Sequence, residues 1–544
     1  MRLIPLAAWT LAACGDAQLD AALDSFSADE LAADIQVLAS DEFEGRGPSS
    51  HGEEKTVTFL AEELQKLGVD PGNGDSYFQD VPLVSITTDP SATLTVRGNG
   101  ATHMFDYGRE IMVWTKRVVA NTSVINSPLV FVGYGTVAPE YGWNDYEGVD
   151  VQGKTVVMLV NDPGFATKDP ELFNGNTMTY YGRWTYKFEE AARQGAAGVL
   201  IVHETEPAAY PWGTVQGSWS GPQFALVAED NNMGRAAIEG WIAVETARTM
   251  FQHAGLDFEA LKQSATSRDF EAVPLGLTAS LALRNTIVRS TSRNVVARIP
   301  GNERPDEHVI YMAHWDHLGI DRSLQGDQIY NGALDNATGT AGLLELAEAF
   351  MSLEERPARS ILFLAVTAEE QGLLGSAYYG SNPLYPLDKT VAAINMDAMN
   401  ILGSMNDVVV IGLGNSELDE YLADAARSQQ RVLVPDAEPQ AGYYYRSDHF
   451  SLAKVGVPAL YAGEGTDHVE HGTEWTQEWR DQYLAENYHK PSDEYSDDWD
   501  LSGAIDDLRL YFRIGYRLAN ESTFPNWSEG TEFKATRDAM MAER

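Results

Sequence analysis

Histidine, aspartate and glutamate side chains recur directly after apolar segments in the second half of this chain. HVIYMA precedes His314-Trp315-Asp316-His317, SILFLAVTA precedes Glu369-Glu370, and TVAAIN precedes Met396 and Asp397; Asp335-Asn336 and His489 belong to the same region. Short apolar runs of this kind predict buried strands, and ligands bind at the carboxyl ends of the strands in an open α/β sheet. We therefore expect these side chains to meet at one edge of one sheet.

Such a cluster of carboxylates predicts bound metal. Like charges in a dry crevice repel each other and are costly to desolvate unless a cation compensates them. Two ions suit the residues better than one, because Asp335 can bridge them. His314 and Asp397 then remain for one ion, Glu370 and His489 remain for the other, and Glu369 is free to act as a general base. In two-metal hydrolases the ions lie about 3.5–4 Å apart and together activate water and stabilise the developing oxyanion.

Six ordered motifs of this chain resemble the co-catalytic dizinc exopeptidases, the clan of bacterial leucyl-type aminopeptidases and glutamate carboxypeptidase II-like enzymes. The motifs are AHWDHLG (313–319), YNGALDNATGTAGLLELAEAF (330–350), TAEEQGLLGS (367–376), NMDAMN (395–400), YRSDHFSLAKVGVPAL (445–460) and YHKPSDEY (488–495). The resemblance implies an α/β fold with a mixed, mostly parallel sheet flanked by helices. It also implies two Zn²⁺ per chain, although Co²⁺ or Mn²⁺ can occupy similar sites.

The resemblance implies a role for each residue of the cluster. The implied metal ligands are His314, Asp335, Glu370, Asp397 and His489, with Asp335 bridging. Asp316 would hydrogen-bond the far nitrogen of His314 and fix its tautomer. Glu369 would take the proton from the bridging water and deliver it to the leaving amine. A cis peptide bond is implied between Asp335 and Asn336.

A tyrosine upstream of the SDH motif would stabilise the gem-diolate oxygen. Tyr444 has the best register, and Tyr443 and Tyr445 remain alternatives. His317 and His449 lie inside the motifs, but no coordination sphere needs them, so we expect buried hydrogen-bonding roles. For the acidic residues 493–500 we expect helix capping.

Composition indicates a large soluble protein that does not bind nucleic acid. The 544 residues are 44% hydrophobic, and 80 acidic against 38 basic side chains give a formal net charge of −42. Nucleic-acid phosphates need basic contacts, which this balance disfavours. Peptides are the substrates that the motifs imply.

The first residues are typical of a bacterial lipoprotein signal. Arg2 precedes the apolar residues 3–13, which end in Leu-Ala-Ala-Cys at Cys14. This segment is too short to span a bilayer as a mature helix. Cys14 is the only cysteine, so no intrachain disulfide is possible. We expect an exported protein, either a periplasmic or cell-envelope lipoprotein anchored through Cys14 or a secreted protein.

The length favours two domains. Beyond the signal segment of residues 1–14, we assign residues 24–120 and 270–535 to a discontinuous catalytic domain. Residues 121–269 form an insert with a connecting helix. Within it, GKTVVMLVND and KFEEAARQGAAGVLIV resemble the protease-associated domain, a small module inserted in many peptidases of this clan.

Three functions are consistent with these motifs. We expect a metal-dependent exopeptidase, specifically an aminopeptidase that removes residues from the amino end of peptides. The alternative is a glutamate carboxypeptidase-like carboxypeptidase, which needs a cation for the substrate carboxylate, and Arg446 lies near enough in sequence. A binding protein without metals is disfavoured because all five ligands and Glu369 are present.

Overall fold

The chain forms two compact units in a computed structural model that describes residues 18–544. The first comprises the chain up to Val81 with Thr291–Asp436 and Arg446–Arg544, and the second comprises Pro82–Ser290 and Ala437–Tyr445. The predicted signal segment with Cys14 lies outside the described residues. Among residues 18–544, no helix combines the length and apolar character needed to cross a membrane.

A mixed sheet with four parallel central strands is the basis of the first unit. Arg304–His314 pairs in parallel with Arg359–Val366 on one side and with Thr390–Asn395 on the other. Thr390–Asn395 then pairs in parallel with Ala459–Gly463. Residues 295–299 pair antiparallel with Arg359–Val366, and Asp70–Pro71 pairs antiparallel with residues 297–298. Asp407–Val410 pairs antiparallel with Ala459–Gly463 and parallel with Val432–Pro435.

The central strands are buried over residues 308–314, 359–366 and 390–395 because both faces of the sheet are covered. Val309 and Tyr311 contribute to one hydrophobic cluster, whereas Ile310 and Met312 contribute to another. The helices of this unit are Ala28–Leu38, His51–Lys66, Thr338–Met351, Leu374–Ser381, Leu418–Ser428, His449–Lys454, Gly472–Glu486, Ser502–Asn520 and Lys534–Ala542. This architecture confirms the predicted α/β class with a mostly parallel sheet flanked by helices.

The second unit has its own sheet and core. Gly198–His203 runs parallel to both Thr155–Leu159 and Ile238–Ala243. The amphipathic helix predicted in this region is Trp184–Arg193, directly before that central strand. The other strands of more than two residues are Phe78–Thr88, Thr93–Gly98, Ala101–Asp106, Ile111–Trp114, Asn121–Phe131 and Pro222–Leu226. Two strands, Phe78–Thr88 and Val273–Ile299, have residues in both units. The other helices are Pro163–Thr167, Thr205–Ala208, Trp212–Ser218, Val244–Ala254 and Phe258–Ser264.

The boundaries of this unit lie outside those assigned from the sequence. Residues 82–120 and 270–290 were expected in the catalytic domain, but they belong to the second unit. Strand pairing is the cause: Thr93–Gly98 pairs with Ala101–Asp106 and with residues 278–280, and Ile111–Trp114 pairs with residues 239–242. Apolar periodicity identifies a strand without identifying its sheet.

The contact between the last long helix and the central strand generates a stability prediction. A Cβ at Gly515 would lie 1.8 Å from Tyr311 Oη, and this buried hydroxyl donates to the Tyr511 carbonyl at 2.8 Å. Gly515→Ala should lower the free energy of unfolding by about 1–3 kcal/mol through overpacking. Urea denaturation measures the change.

The matched control is Gly213→Ala in helix Trp212–Ser218, where an added Cβ meets nothing within 4 Å. It should leave stability unchanged or raise it by about 0.5–1 kcal/mol. Equal stability of Gly515→Ala and the wild type would contradict the close packing of this helix.

Candidate metal centre

Three parallel strands deliver polar side chains to the same edge of the sheet. His314 is the last residue of its strand, Glu369 and Glu370 follow Arg359–Val366, and Asp397 follows Thr390–Asn395. These strands are neighbours in register, so their carboxyl ends coincide. The sequence predicted this edge, and the structure brings these residues together there.

One group of ligand atoms surrounds His314. Its Nε2 lies 3.2 Å from Asp335 Oδ1 and 3.3 Å from Asp397 Oδ1. One ligand atom from each of these three residues lies within 4.8 Å of the others. Imidazole nitrogens and carboxylate oxygens are ligands that suit zinc, cobalt or manganese.

The second carboxylate oxygen of Asp335 belongs to another group. His489 Nε2 lies 3.3 Å from Asp335 Oδ2 and 3.0 Å from Glu370 Oε2. Asp335 therefore directs one oxygen toward His314 and the other toward His489. This is the arrangement that a bridging carboxylate requires.

His317 lies closer to the centre than the sequence indicated. Its Nδ1 is 2.6 Å from Glu370 Oε1, and both side chains are buried. His317, Asp335 and Glu370 form a second set of ligand atoms within 4.8 Å of one another. The expected buried hydrogen-bonding role fits this position, but His317 also has the geometry of a ligand. Its place within the HWDH motif was the available signal.

His314 Nδ1 has a different hydrogen-bond partner from the Asp316 carboxylate that the resemblance implied. His314 Nδ1 lies 3.0 Å from the backbone oxygen of Asp316, whereas the nearer carboxylate oxygen is 3.9 Å away. That carboxylate oxygen instead accepts the Glu369 amide at 3.1 Å. Asp316 thus orients His314 through its main chain and Glu369 through its side chain.

Hydrogen bonds to Asp493 hold the main chain around Asp335. The Asp493 carboxylate accepts hydrogen bonds from the amides of Leu334 and Asp335, both at 3.1 Å. Within the acidic run 493–500, for which helix capping was expected, Asp493 therefore supports the ligand loop. Asp500, at the other end of the run, accepts the amide of Ser502, the first residue of helix Ser502–Asn520, at 3.0 Å.

The implied cis peptide bond between Asp335 and Asn336 is confirmed. Asn336 Oδ1 accepts the amides of Gly339 and Ala398 at 2.9 and 3.1 Å. A Cβ at Gly339 would lie 2.4 Å from that oxygen, so glycine is required for this approach. Gly339, in the first turn of helix Thr338–Met351, thus permits this contact.

Several groups of the centre have strongly shifted pKa values. Burial raises the pKa of Asp316 to about 8, with a further contribution from Glu370 and opposition from His314. Burial also raises the pKa of Glu369 well above its ordinary value. Although burial disfavours protonation of His314, the charges of Glu369 and Asp397 hold its pKa well above the usual range. Bound cations would replace the protons that these groups retain.

Tyr488 is a site residue that the sequence reasoning missed. Its ring stacks on His489 with centroids 3.9 Å apart and planes at 25°. Burial and the charge of Asp335, followed by Glu370, raise the pKa of its hydroxyl well above the usual range. Its position directly before His489 in the YHKPSDEY motif was the available signal.

The tyrosines expected to contact the intermediate belong to the second unit. Tyr443–Tyr445 is a short 3-10 turn in which the rings of Tyr444 and Tyr445 lie 5.3 Å apart. The Tyr445 ring also lies 5.9 Å from that of Tyr180. The role of Tyr444 stays a prediction, as does the role of Arg446 as a carboxylate-binding cation.

Known proteins resemble this chain most clearly over the region that contains the centre. Residues 294–512 match the model of Peptidase family M28. The mouse protein named Aminopeptidase NAALADL1 is 36% identical over 129 residues, which are 23% of this chain and 16% of that protein. The Caenorhabditis elegans Glutamate carboxypeptidase 2 homolog is 31% identical over 188 residues, 32% of this chain and 22% of the relative. The matches thus span less than a quarter of either relative.

A solved aminopeptidase from Aneurinibacillus sp. strain AM-1 shares the fold. It aligns with a TM-score of 0.51 and 19% identity, over 92% of this chain and 96% of the solved chain. The motifs, the strand-edge ligands and the family match agree on one assignment. Through residues 294–512, this chain resembles peptidase family M28.

Proposed function

We propose that this protein is a two-metal exopeptidase that acts as an aminopeptidase on peptides. The observation that carries the proposal is the position of Asp335. Its two oxygens lie 3.2 Å from His314 Nε2 and 3.3 Å from His489 Nε2, at the centre of two ligand groups. A single ion would not require a carboxylate presented to histidines on both of its sides.

The proposed centre assigns each ligand to one of two zinc ions. His314 and Asp397 would hold one ion, Glu370 and His489 the other, and Asp335 both. Bound zinc would supply a water of lowered pKa and would polarise the scissile carbonyl. His317 offers an additional nitrogen next to Glu370.

Glu369 has the environment of a general base in this proposal. Its amide is fixed by Asp316 Oδ1 at 3.1 Å, and its partly buried carboxyl has a raised pKa because of burial. A raised pKa brings the carboxyl closer to the pH at which proton transfer is efficient. Glu369 would accept the proton of the attacking water and transfer it to the leaving amine.

The names of two relatives bear on which end of a peptide is cleaved. The mouse relative is named an aminopeptidase, which agrees with cleavage at the amino end. The worm relative named a glutamate carboxypeptidase 2 homolog favours the alternative, in which Arg446 would bind the terminal carboxylate.

Adjacent carboxylates should respond differently to the same substitution. Glu369→Gln should retain zinc while kcat falls by about 10²–10⁴, because only the general base is lost. Glu370→Gln should lose zinc from one site, and activity with it. Metal analysis and steady-state kinetics on both variants separate the two roles. Loss of zinc from Glu369→Gln comparable to that from Glu370→Gln would overturn the assignment.

End-blocked peptides distinguish the two exopeptidase activities. An aminopeptidase requires a free amine, so N-acetylation should abolish cleavage while C-terminal amidation is tolerated. Chromatographic assays of matched free, acetylated and amidated peptides provide the measurement. Cleavage of the acetylated peptide, with loss of cleavage on amidation, would establish the carboxypeptidase instead.

A further inference from the structure

We propose that Arg46 is a positioning residue for the metal centre, because it joins the two loops that present the metal-binding side chains. This inference rests on the proposed two-metal function. Arg46 lies far from the ligands in sequence, in the turn-rich segment DEFEGRG. Its side chain is fully buried in the first unit.

The guanidinium of Arg46 donates to main-chain oxygens on both ligand loops. Its Nε donates to the Trp315 carbonyl at 2.9 Å, which lies directly between His314 and Asp316. Nη1 and Nη2 donate to the carbonyls of Asn331 and Gly332 at 2.5 and 2.7 Å, shortly before Asp335. One planar group thus fixes the separation of the two loops.

The main chain of Arg46 adds a contact to the same loops. Its carbonyl accepts the amide of His317 at 3.3 Å, and Nη1 also donates to the Leu38 carbonyl at 2.8 Å. Arg46 is therefore connected to the helix Ala28–Leu38 and to the first ligand loop. Movement of Arg46 would displace His317 together with its neighbours.

The backbone around Arg46 is shaped for this task. Glu44, Gly45 and Arg46 all have left-handed φ angles, of 51°, 64° and 49°. Strained conformations of this kind persist where surrounding contacts determine them, and they cluster at functional sites. A Cβ at Gly45 would lie 2.4 Å from the Gly319 oxygen, so the segment fits closely against the first loop.

A second polar contact supports the same segment. Asn331 Nδ2 donates to Asp41 Oδ1 at 3.0 Å, at the start of the turn that ends at Arg46. Asp41 is exposed, so its substitution does not open the core. Substitution of Asp41 therefore perturbs the connection between this segment and the loop at Asn331 only mildly.

Arg46 also keeps a positive charge beneath the carboxylates. Burial lowers its pKa to about 10, and nearby Asp493 and Asp316 oppose that decrease. The guanidinium remains charged at neutral pH. Geometry and charge can be separated by lysine, which keeps the charge but lacks the planar fork that reaches four carbonyls.

The test compares zinc binding by wild type, Arg46→Lys, Asp41→Ala and a control. The control is Arg537→Lys. Arg537 is buried like Arg46 and donates to the carbonyls of Thr390 and Val391. Burial lowers its pKa to about 10, as it does for Arg46. Thr390 lies at the beginning of its strand, at the opposite end from Asp397. Zinc dissociation constants are measured by competition with a chromophoric chelator, and zinc-induced shifts in Tm are recorded in parallel.

Arg46→Lys should bind zinc about 10–100-fold more weakly and show a smaller zinc-induced shift in Tm, as expected when a residue that orients metal ligands is altered. Asp41→Ala should weaken zinc binding in the same direction, by less. Arg537→Lys should lower Tm without changing either zinc dissociation constant.

Wild-type zinc affinity in folded Arg46→Lys would overturn the inference and leave the proposed function intact. If Arg46→Lys does not fold, unchanged zinc affinity in Asp41→Ala overturns it, whereas weakened affinity supports it. An equal loss of affinity in Arg537→Lys would show a general effect of stability and would also overturn it. Failure of wild type to bind zinc would reject the proposed function, and with it the positioning role.

Discussion

The concentration of carboxylates at one sheet edge is the constraint on which the rest of the first unit depends. The buried carboxylates of Asp335 and Glu370 lie within 3.3 Å of three histidines, which are His314, His317 and His489. Isolated buried charges cost several kcal/mol or more, so the arrangement is stable only with compensating cations or protons. Burial raises the pKa of Glu369, and the charges of Glu369 and Asp397 raise the pKa of His314 against the effect of its burial.

The fold meets this constraint by fixing main-chain groups around the ligands. Asp493 accepts the amides of Leu334 and Asp335, and Asn336 accepts those of Gly339 and Ala398. These contacts fix the loop that carries Asp335 both before and after that residue. The parallel strands place His314, Glu370 and Asp397 at one edge of the sheet, whereas His489 follows helix Gly472–Glu486.

Three of the five proposed ligands could be placed together from sequence because they follow apolar strands directly. His314, Glu370 and Asp397 each lie at or just after a strand end, where topology alone brings them together. Supporting residues had no such signal. Asp493 resembled a helix cap, and the role of Arg46 depends on carbonyl groups that sequence does not distinguish. The two compact units divide the chain at other residues than the domain assignment, because the sequence pattern of the strands at 93–98 and 111–114 does not show which sheet they join.

The bridging carboxylate is the central claim, and the metal content of Asp335→Ala tests it most directly. Purified protein loaded with zinc and passed through a desalting column is analysed by mass spectrometry of the metal. Asp321→Ala is the control, because its carboxylate accepts the amide of Ser323 within its own turn. The control should retain two zinc ions per chain, and Asp335→Ala should lose zinc from both sites. Two ions retained by Asp335→Ala would contradict the bridge.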